Sequence, residues 1–180
     1  MPEMDGWQVC SHLRQVSDVP ILILTALGSD LDITRGLDAG ADDFVTKPVS
    51  TEVLLARAQA LLRRAALPPA GAKPAAYRDD RLAIDLEQRR VSVSGEPVKL
   101  TPTEFRVLAF FLHHAGQVLT HRQILEQVWG YECLESEQYV HVYVYRLRQK
   151  LELDPTQPRY LVNEPAVGYS FRPAPPDDAL

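Results

Sequence analysis

The sequence predicts two small folds in one chain. An α/β segment built on parallel strands comes first, and an α+β domain of short antiparallel strands, three helices and a closing hairpin follows. Three features carry this reading. Val19 to Ala26 is an almost unbroken apolar run, the mark of a strand buried on both faces. Thr101 and Thr120 each open a helix with a capping-box pattern. Between the folds, residues 65–76 read AALPPAGAKPAA, small residues and prolines without apolar periodicity, which is a semi-rigid linker.

In the first segment, Asp5-Gly6 is a turn signal, and Trp7, Val9, Leu13 and Val16 follow partly at helical spacing. The 19–26 strand comes next, then a helix over about residues 30–39 stopped by Gly40. Phe44-Val45-Thr46 is a short second strand closed by Lys47-Pro48. A helix over 51–64 ends the segment. Leu54, Leu55, Ala58, Leu61 and Leu62 form its apolar face, and Arg63-Arg64 suit the negative end of its dipole.

The second segment opens with alternating residues at 81–86 and 90–94 around a Ser94–Pro97 turn, read as small antiparallel strands. Thr101, Pro102 and Glu104 then announce a helix as N-cap, first-turn proline and capping-box acid. Its apolar face is Phe105, Leu108, Ala109 and Leu112, with Gly116 as the stop. Thr120 and Gln123 repeat the capping pattern for a helix carrying Ile124, Leu125, Val128 and Trp129 to Gly130. Val140 to Tyr145 alternates like a strand, yet Val140, Val144, Leu147 and Leu151 fall on one helical stripe, so 136–151 is assigned to a helix capped by Ser136. Gln138, Val142, Tyr145, Arg146 and Gln149 should then face away from that stripe, flanked by Arg148 and Lys150. A hairpin over 160–163 and 169–171 closes the domain, and PAPPDDAL from Pro173 is a frayed tail.

Composition narrows the function classes. The 180 residues are 46% hydrophobic and 24% charged, too apolar for disorder. A net charge of -5 excludes coating nucleic acid by bulk charge, although a local basic stripe remains open. Residues 1–67 carry 6 basic and 9 acidic side chains and residues 76–173 carry 12 and 13, so neither half is basic overall. Cys10 and Cys133 stand far apart in no CxxC, which excludes a disulfide scaffold or zinc finger and fits a reducing, cytoplasmic setting. No apolar run reaches the roughly 20 residues of a membrane span, and MPEMDGW is not a signal peptide. The histidines show no ligand spacing, and adjacent His113 and His114 cannot share a helix face, so no metal is expected. Neither a phosphate-cradling glycine loop nor a nucleophile triad is present, so no enzyme or cofactor is expected.

MPEMDGW, ILTA, GLDAGADDFVTKP and LLARAQALLRR together resemble the second half of a response-regulator receiver domain of the OmpR/PhoB type. The resemblance implies part of a flavodoxin-like doubly wound sheet, with Thr25 and Lys47 as the pair that binds a phosphoryl group. In that family the phospho-acceptor aspartate lies four residues before the proline matching Pro2, ahead of Met1. These 180 residues are therefore not expected to be phosphorylated, and Thr25 and Lys47 read as relics of a switch. The 19–26 strand should also present an unpaired apolar edge. The family's homodimer face falls on Ile33, Asp43, Val53 and Arg57. Asp43 and Arg57 match a cross-subunit ion pair, and Ile33 and Val53 replace another.

LTPTEFRVL, GQVLTHRQILEQVWG, VYRLRQKLE and VGYSF similarly resemble the OmpR/PhoB effector domain, a winged helix-turn-helix. QYVHVYVYRLRQKLELDPTQPRYLVNEP looks closer to its potassium-transport, KdpE-like branch. The resemblance makes 136–151 the recognition helix, 160–171 the wing, and Glu132–Glu135, within loop 130–135, the part facing RNA polymerase. A helix of 10–12 Å fits the roughly 12 Å major groove. Candidate DNA contacts are Gln138, Tyr139, Val142, Tyr145, Arg146, Arg148 and Lys150 on that helix, His121, Arg122 and Trp129 at the ends of the helix before it, and Tyr169 in the wing. Pro165 stands where many members carry a minor-groove arginine, and Gln138 where many carry an arginine, so the wing is not expected to enter the minor groove.

The expected organisation is a half-receiver over 1–66, a linker over 67–75, a winged-helix domain over 76–173 and a tail over 174–180. The expected function is a sequence-specific transcription regulator of a two-component system. It would bind direct repeats in duplex DNA as a homodimer, with a sensor histidine kinase as partner of a full-length form. The competing expectation is a protein-interaction module that pairs with complete receivers and sequesters them.

Overall fold

A computed structural model of the chain describes residues 5–66, 76–130 and 137–174. The linker, Ser136, Glu132–Glu135 and the tail beyond Ala174 lie outside the described residues. Two compact units result, the first taking in residues 1–68 and the second nearly all of 69–180.

In the first unit, helix α1 (Gly6–Val16) starts at Asp5, whose carboxylate accepts from the Gln8 N–H while the Gln8 side chain accepts from the Asp5 N–H. Strand β1 (Leu22–Thr25) pairs in parallel with β2 (Asp43–Thr46), Leu22 opposite Asp43 and Thr25 opposite Thr46. Between them runs α2 (Asp30–Asp38), capped by Ser29 and ended at Gly40, whose φ of 115° suits a residue without Cβ. Helix α3 (Thr51–Ala66) follows. Arg14 staples the unit. Its guanidinium donates to the Asp42 carboxylate and to the Gly40 and Val19 carbonyls, and Asp42, 1% exposed, also accepts from the Ile21 N–H.

The apolar run yields a shorter and wetter strand than its sequence implies. Pro20 has no N–H to give a ladder, and β1 begins only at Leu22. Among the described residues β1 pairs with β2 alone, and Leu24 stays 38% exposed. The face expected on α3 is likewise half covered, with Leu61 buried and Leu55 and Leu62 exposed.

The second unit has two sheets. Strands β3 (Ala76–Arg78), β4 (Leu82–Asp85), β5 (Arg90–Val93) and β6 (Glu96–Pro97) form an antiparallel sheet in chain order. Helix α4 (Pro102–His113) begins at its proline and buries Phe105, Leu108 and Phe111. Strand β7 (Val118–Thr120) leads through a Thr120–Gln123 capping box into α5 (His121–Val128). Helix α6 (Gln138–Leu151) precedes the hairpin of β8 (Leu161–Glu164) and β9 (Gly168–Phe171). β9 pairs with β7 as well, giving a three-stranded sheet in the order β7-β9-β8.

The alternating segment 140–145 is helical. Val140, Tyr143, Val144, Leu147 and Leu151 are at most 1% exposed, so helical packing overrides the β-propensity of valine and tyrosine. The helix starts two residues later than its sequence suggests. Glu137 is its N-cap and makes no side-chain cap bond.

Candidate nucleic-acid interface

At 100° per residue, Gln138, His141, Tyr145 and Gln149 fall within an arc of about 80° on α6. This is the helix's outward stripe. His141, Tyr145 and Gln149 are exposed, Tyr145 by 56%, and Gln138 is half-buried. The stripe expected from the sequence is rotated from it, because Val142 is only 5% exposed and belongs to the core. His141 takes the place expected for Val142.

Three further expected contacts are buried. Trp129, Tyr139 and Tyr143 form one aromatic cluster, with Trp129 5.6 Å from Tyr139 and 5.1 Å from Tyr143 between ring centroids. Trp129 and Tyr139 are 4% and 3% exposed, so both serve packing first. Tyr169 is 7% exposed, and its hydroxyl lies 2.8 Å from His141 Nδ1. Burial raises the Tyr169 phenol above its ordinary pKa, against a smaller downward pull from Arg148.

The basic residues divide. Lys150 Nζ donates to the buried Glu104 carboxylate at 2.6 Å and to the Lys99 carbonyl at 3.0 Å, tying α6 to α4. Arg148 Nε donates to the Leu161 carbonyl at 2.9 Å, and its guanidinium stacks over Tyr169. Both side chains hold the fold together rather than standing out toward a ligand. Long side chains beside a packed helix find the nearest buried acceptors, and spacing alone does not show this. Arg146 stacks on Tyr143 at 5.0 Å with Nη2 buried, and makes no hydrogen bond among the described residues. Arg122 is exposed in the first turn of α5, beside half-buried His121. The outward basic set is thus Arg122 with part of Arg146.

Glu152 is a structural residue that the sequence reading missed. Its 6%-exposed carboxylate accepts the N–H groups of Arg159, Tyr160 and Leu161, each at 2.9 Å, and fixes the end of α6 to the hairpin. His121, Glu137 and His141 also converge, with one potential ligand atom from each within 4.8 Å of the others. The signal was present as Glu137 and His141 at i and i+4, but His121 arrives from another helix. Burial lowers the His141 pKa, and nearby His121 lowers it further against an opposing pull from Glu137.

In the first unit, Thr25 and Lys47 meet at the C-terminal end of the parallel pair, where the Lys47 N–H donates to the Thr25 carbonyl at 2.6 Å. Asp43 and Arg57, expected to pair across a dimer, pair within one chain at 3.3 Å, and Asp43 is 1% exposed. A buried carboxylate beside its own chain's arginine needs no partner subunit to satisfy it. Ile33 is half-buried and Val53 is 49% exposed. No helix among the described residues is long and apolar enough to cross a membrane.

Residues 1–59 match the family described as Response regulator receiver domain, and residues 95–171 match Transcriptional regulatory protein, C terminal. The KDP operon transcriptional regulatory protein KdpE of Escherichia coli K12 is 42% identical over 171 residues, covering 95% of this chain and 75% of that protein. Among solved structures, the response regulator DrrB of Thermotoga maritima, an OmpR/PhoB homolog, is similar at 34% identity over 96% of this chain and 76% of its own, with a TM-score of 0.52. The DNA-binding domain of Klebsiella pneumoniae RstA, solved in complex with RstA box, is similar at 30% identity over 55% of this chain and 98% of its own, with a TM-score of 0.51.

Proposed function

Since this chain belongs to the OmpR/PhoB response regulators, which join a receiver domain to a winged-helix DNA-binding domain, we propose that it regulates transcription by reading duplex DNA with helix α6 in the major groove. The outward stripe of α6 carries this reading. Gln138 and Gln149 have the paired donor and acceptor that match adenine N7 and N6, and Tyr145 offers an apolar face to a thymine methyl. Arg122 and Arg146 supply phosphate contacts, and the N-terminus of α5 adds backbone N–H groups. With so few outward cations, specificity rests on base contacts more than on charge. That suits a domain whose acidic residues slightly outnumber its basic ones.

The receiver unit supplies the second half of the reading. It dimerises through the face of α2, β2 and α3, placing two effector domains on repeated half-sites. Half-buried Ile33 on α2 and 49%-exposed Val53, one turn before Arg57 on α3, give such a face apolar area to bury. The Asp43–Arg57 pair stiffens that face from within one chain. RNA polymerase is a further partner through loop 130–135, and a sensor histidine kinase is one for a full-length form.

Duplexes selected from a random pool by the full chain, then titrated by fluorescence anisotropy at several salt concentrations, test the proposal. A selected motif, with a salt slope that falls by about 1 on Arg122→Ala or Arg146→Ala, is expected. Failure to enrich any motif, together with tight capture of a complete receiver, would replace it with the sequestration reading.

A further inference from the structure

His121 opens α5, while Glu137 caps α6 and His141 sits one turn further along α6. One potential ligand atom from each lies within 4.8 Å of the others. We propose that these three side chains form a binding site for a borderline divalent transition metal, with Zn²⁺ as its simplest occupant. His141 also lies on the outward stripe of α6, but the test below reads Zn²⁺ binding alone, so this proposal and the DNA-reading one fail separately.

The donor set is chemically apt. Two imidazoles and a carboxylate suit a first-row transition ion and leave a position for water, whereas Mg²⁺ and Ca²⁺ prefer all-oxygen sites. The spacing is close to what an ion needs. Zinc–ligand bonds of about 2.0–2.2 Å set tetrahedral ligand atoms about 3.4 Å apart. His121 Nδ1 and Glu137 Oε2 already stand 3.4 Å apart. The remaining approach is about 1.4 Å or less from the present 4.8 Å limit, within reach of rotamer adjustment in exposed Glu137 and His141.

Support lies behind the ligands. Tyr169 Oη lies 2.8 Å from His141 Nδ1. A ligating histidine commonly uses its other ring N–H to bond a fixed oxygen, which sets the ring and leaves Nε2 for the ion. The His121 Nδ1–Glu137 Oε2 contact is longer than a normal hydrogen bond of roughly 2.7–3.2 Å, so an ion between these atoms displaces no short bond. The rings of His121, His141 and Tyr169 also pack edge to face at 4.8–5.9 Å, holding α5, α6 and β9 together around the site.

Calorimetric titration of the chelator-stripped full chain with Zn²⁺, with Mg²⁺ as control, tests the site. One Zn²⁺ should bind at micromolar or tighter Kd, Mg²⁺ should not bind, and Co²⁺ should give the strong visible absorption of a tetrahedral complex. His121→Ala, His141→Ala and Glu137→Gln should each weaken Zn²⁺ binding by about tenfold or more, which is about 1.4 kcal/mol. Glu137 is exposed and makes no cap bond, so its variant keeps the fold and serves as the reference if a histidine variant unfolds. Zn²⁺ affinity unchanged in Glu137→Gln and in either folded histidine variant would place the ion elsewhere and overturn the proposal. Absence of binding below about 1 mM would overturn it as well.

Discussion

Replacing Glu152 with alanine removes the acceptor of three backbone N–H groups at the junction of α6 and the hairpin. Tyr160 and Leu161 are 0% exposed, so water cannot recover their N–H groups, whereas Arg159, a 46%-exposed residue, can turn to solvent. Each unsatisfied buried donor costs about 1–3 kcal/mol, so the loss should be about 2–6 kcal/mol, with local relaxation favouring the middle of that range. In a domain of this size each kcal/mol moves Tm by about 4–8 °C, so a fall of more than about 10 °C is expected for the second unit. Tyr160 and Leu161 donate to the same oxygen and Arg159 to the other, so Glu152→Gln, which keeps the shared acceptor, should lose well under half as much. The chain has two tryptophans, Trp7 and Trp129, one in each unit, so fluorescence of a Trp7→Phe background isolates the second unit in a urea or thermal melt. A loss under about 1 kcal/mol in Glu152→Ala would mean instead that the buried donors find other acceptors.

Other outcomes follow from the same structure. A Cβ on Gly168 would overlap the Leu119 carbonyl oxygen across the β7–β9 ladder, so Gly168→Ala should cost about 1–3 kcal/mol or more in the same melt; an unchanged midpoint would contradict it. Asp42→Ala leaves Arg14 without its buried partner and should destabilise the first unit by about 3–5 kcal/mol, read from Trp7 fluorescence in a Trp129→Phe background. Burial pushes the Asp79 carboxyl up, but the Leu82 and Arg81 N–H groups and the Tyr77 and Tyr160 hydroxyls outweigh it and hold its pKa low. Its stabilisation is therefore present above the unfolded value near 4 and is lost as pH falls through the folded one. Burial raises the Tyr77 pKa to about 12, so its contribution holds below about 10 and is lost as pH rises from there through 12. Chemical denaturation across both pH ranges measures the two effects, and Asp79→Asn should flatten the acid limb. Lys150→Ala should lower stability while leaving the salt slope of DNA binding unchanged, since Lys150 serves Glu104.

Much of this was legible in the chain. Capping boxes at Thr120 and prolines at 20 and 102 are local signals, and local chemistry decides where helices start and strands fail. Periodicity marked the buried stripe of α6 correctly at Val140, Val144, Leu147 and Leu151. It did not reveal that the buried arc is wide enough to take in Tyr139 and Val142; Tyr139 is drawn in by packing against Trp129, which spacing within the helix does not show. The destinations of long side chains were also hidden. Arg148 and Lys150 read as DNA contacts on a bare helix, yet the Leu161 carbonyl and Glu104, distant in sequence, claim them. The His121–Glu137–His141 group escaped for the same reason, since one of its three residues comes from another element.

Specificity of the α6 stripe is the most direct test of the DNA-reading claim. The 180-residue chain and its Tyr145→Ala/Gln149→Ala variant would be titrated with a selected duplex and a scrambled one at fixed salt. The ratio of the two affinities should fall about tenfold or more in the variant, while affinity for the scrambled duplex stays within about twofold. An unchanged ratio, or a wild-type chain that binds both duplexes equally, would mean that this helix does not read bases.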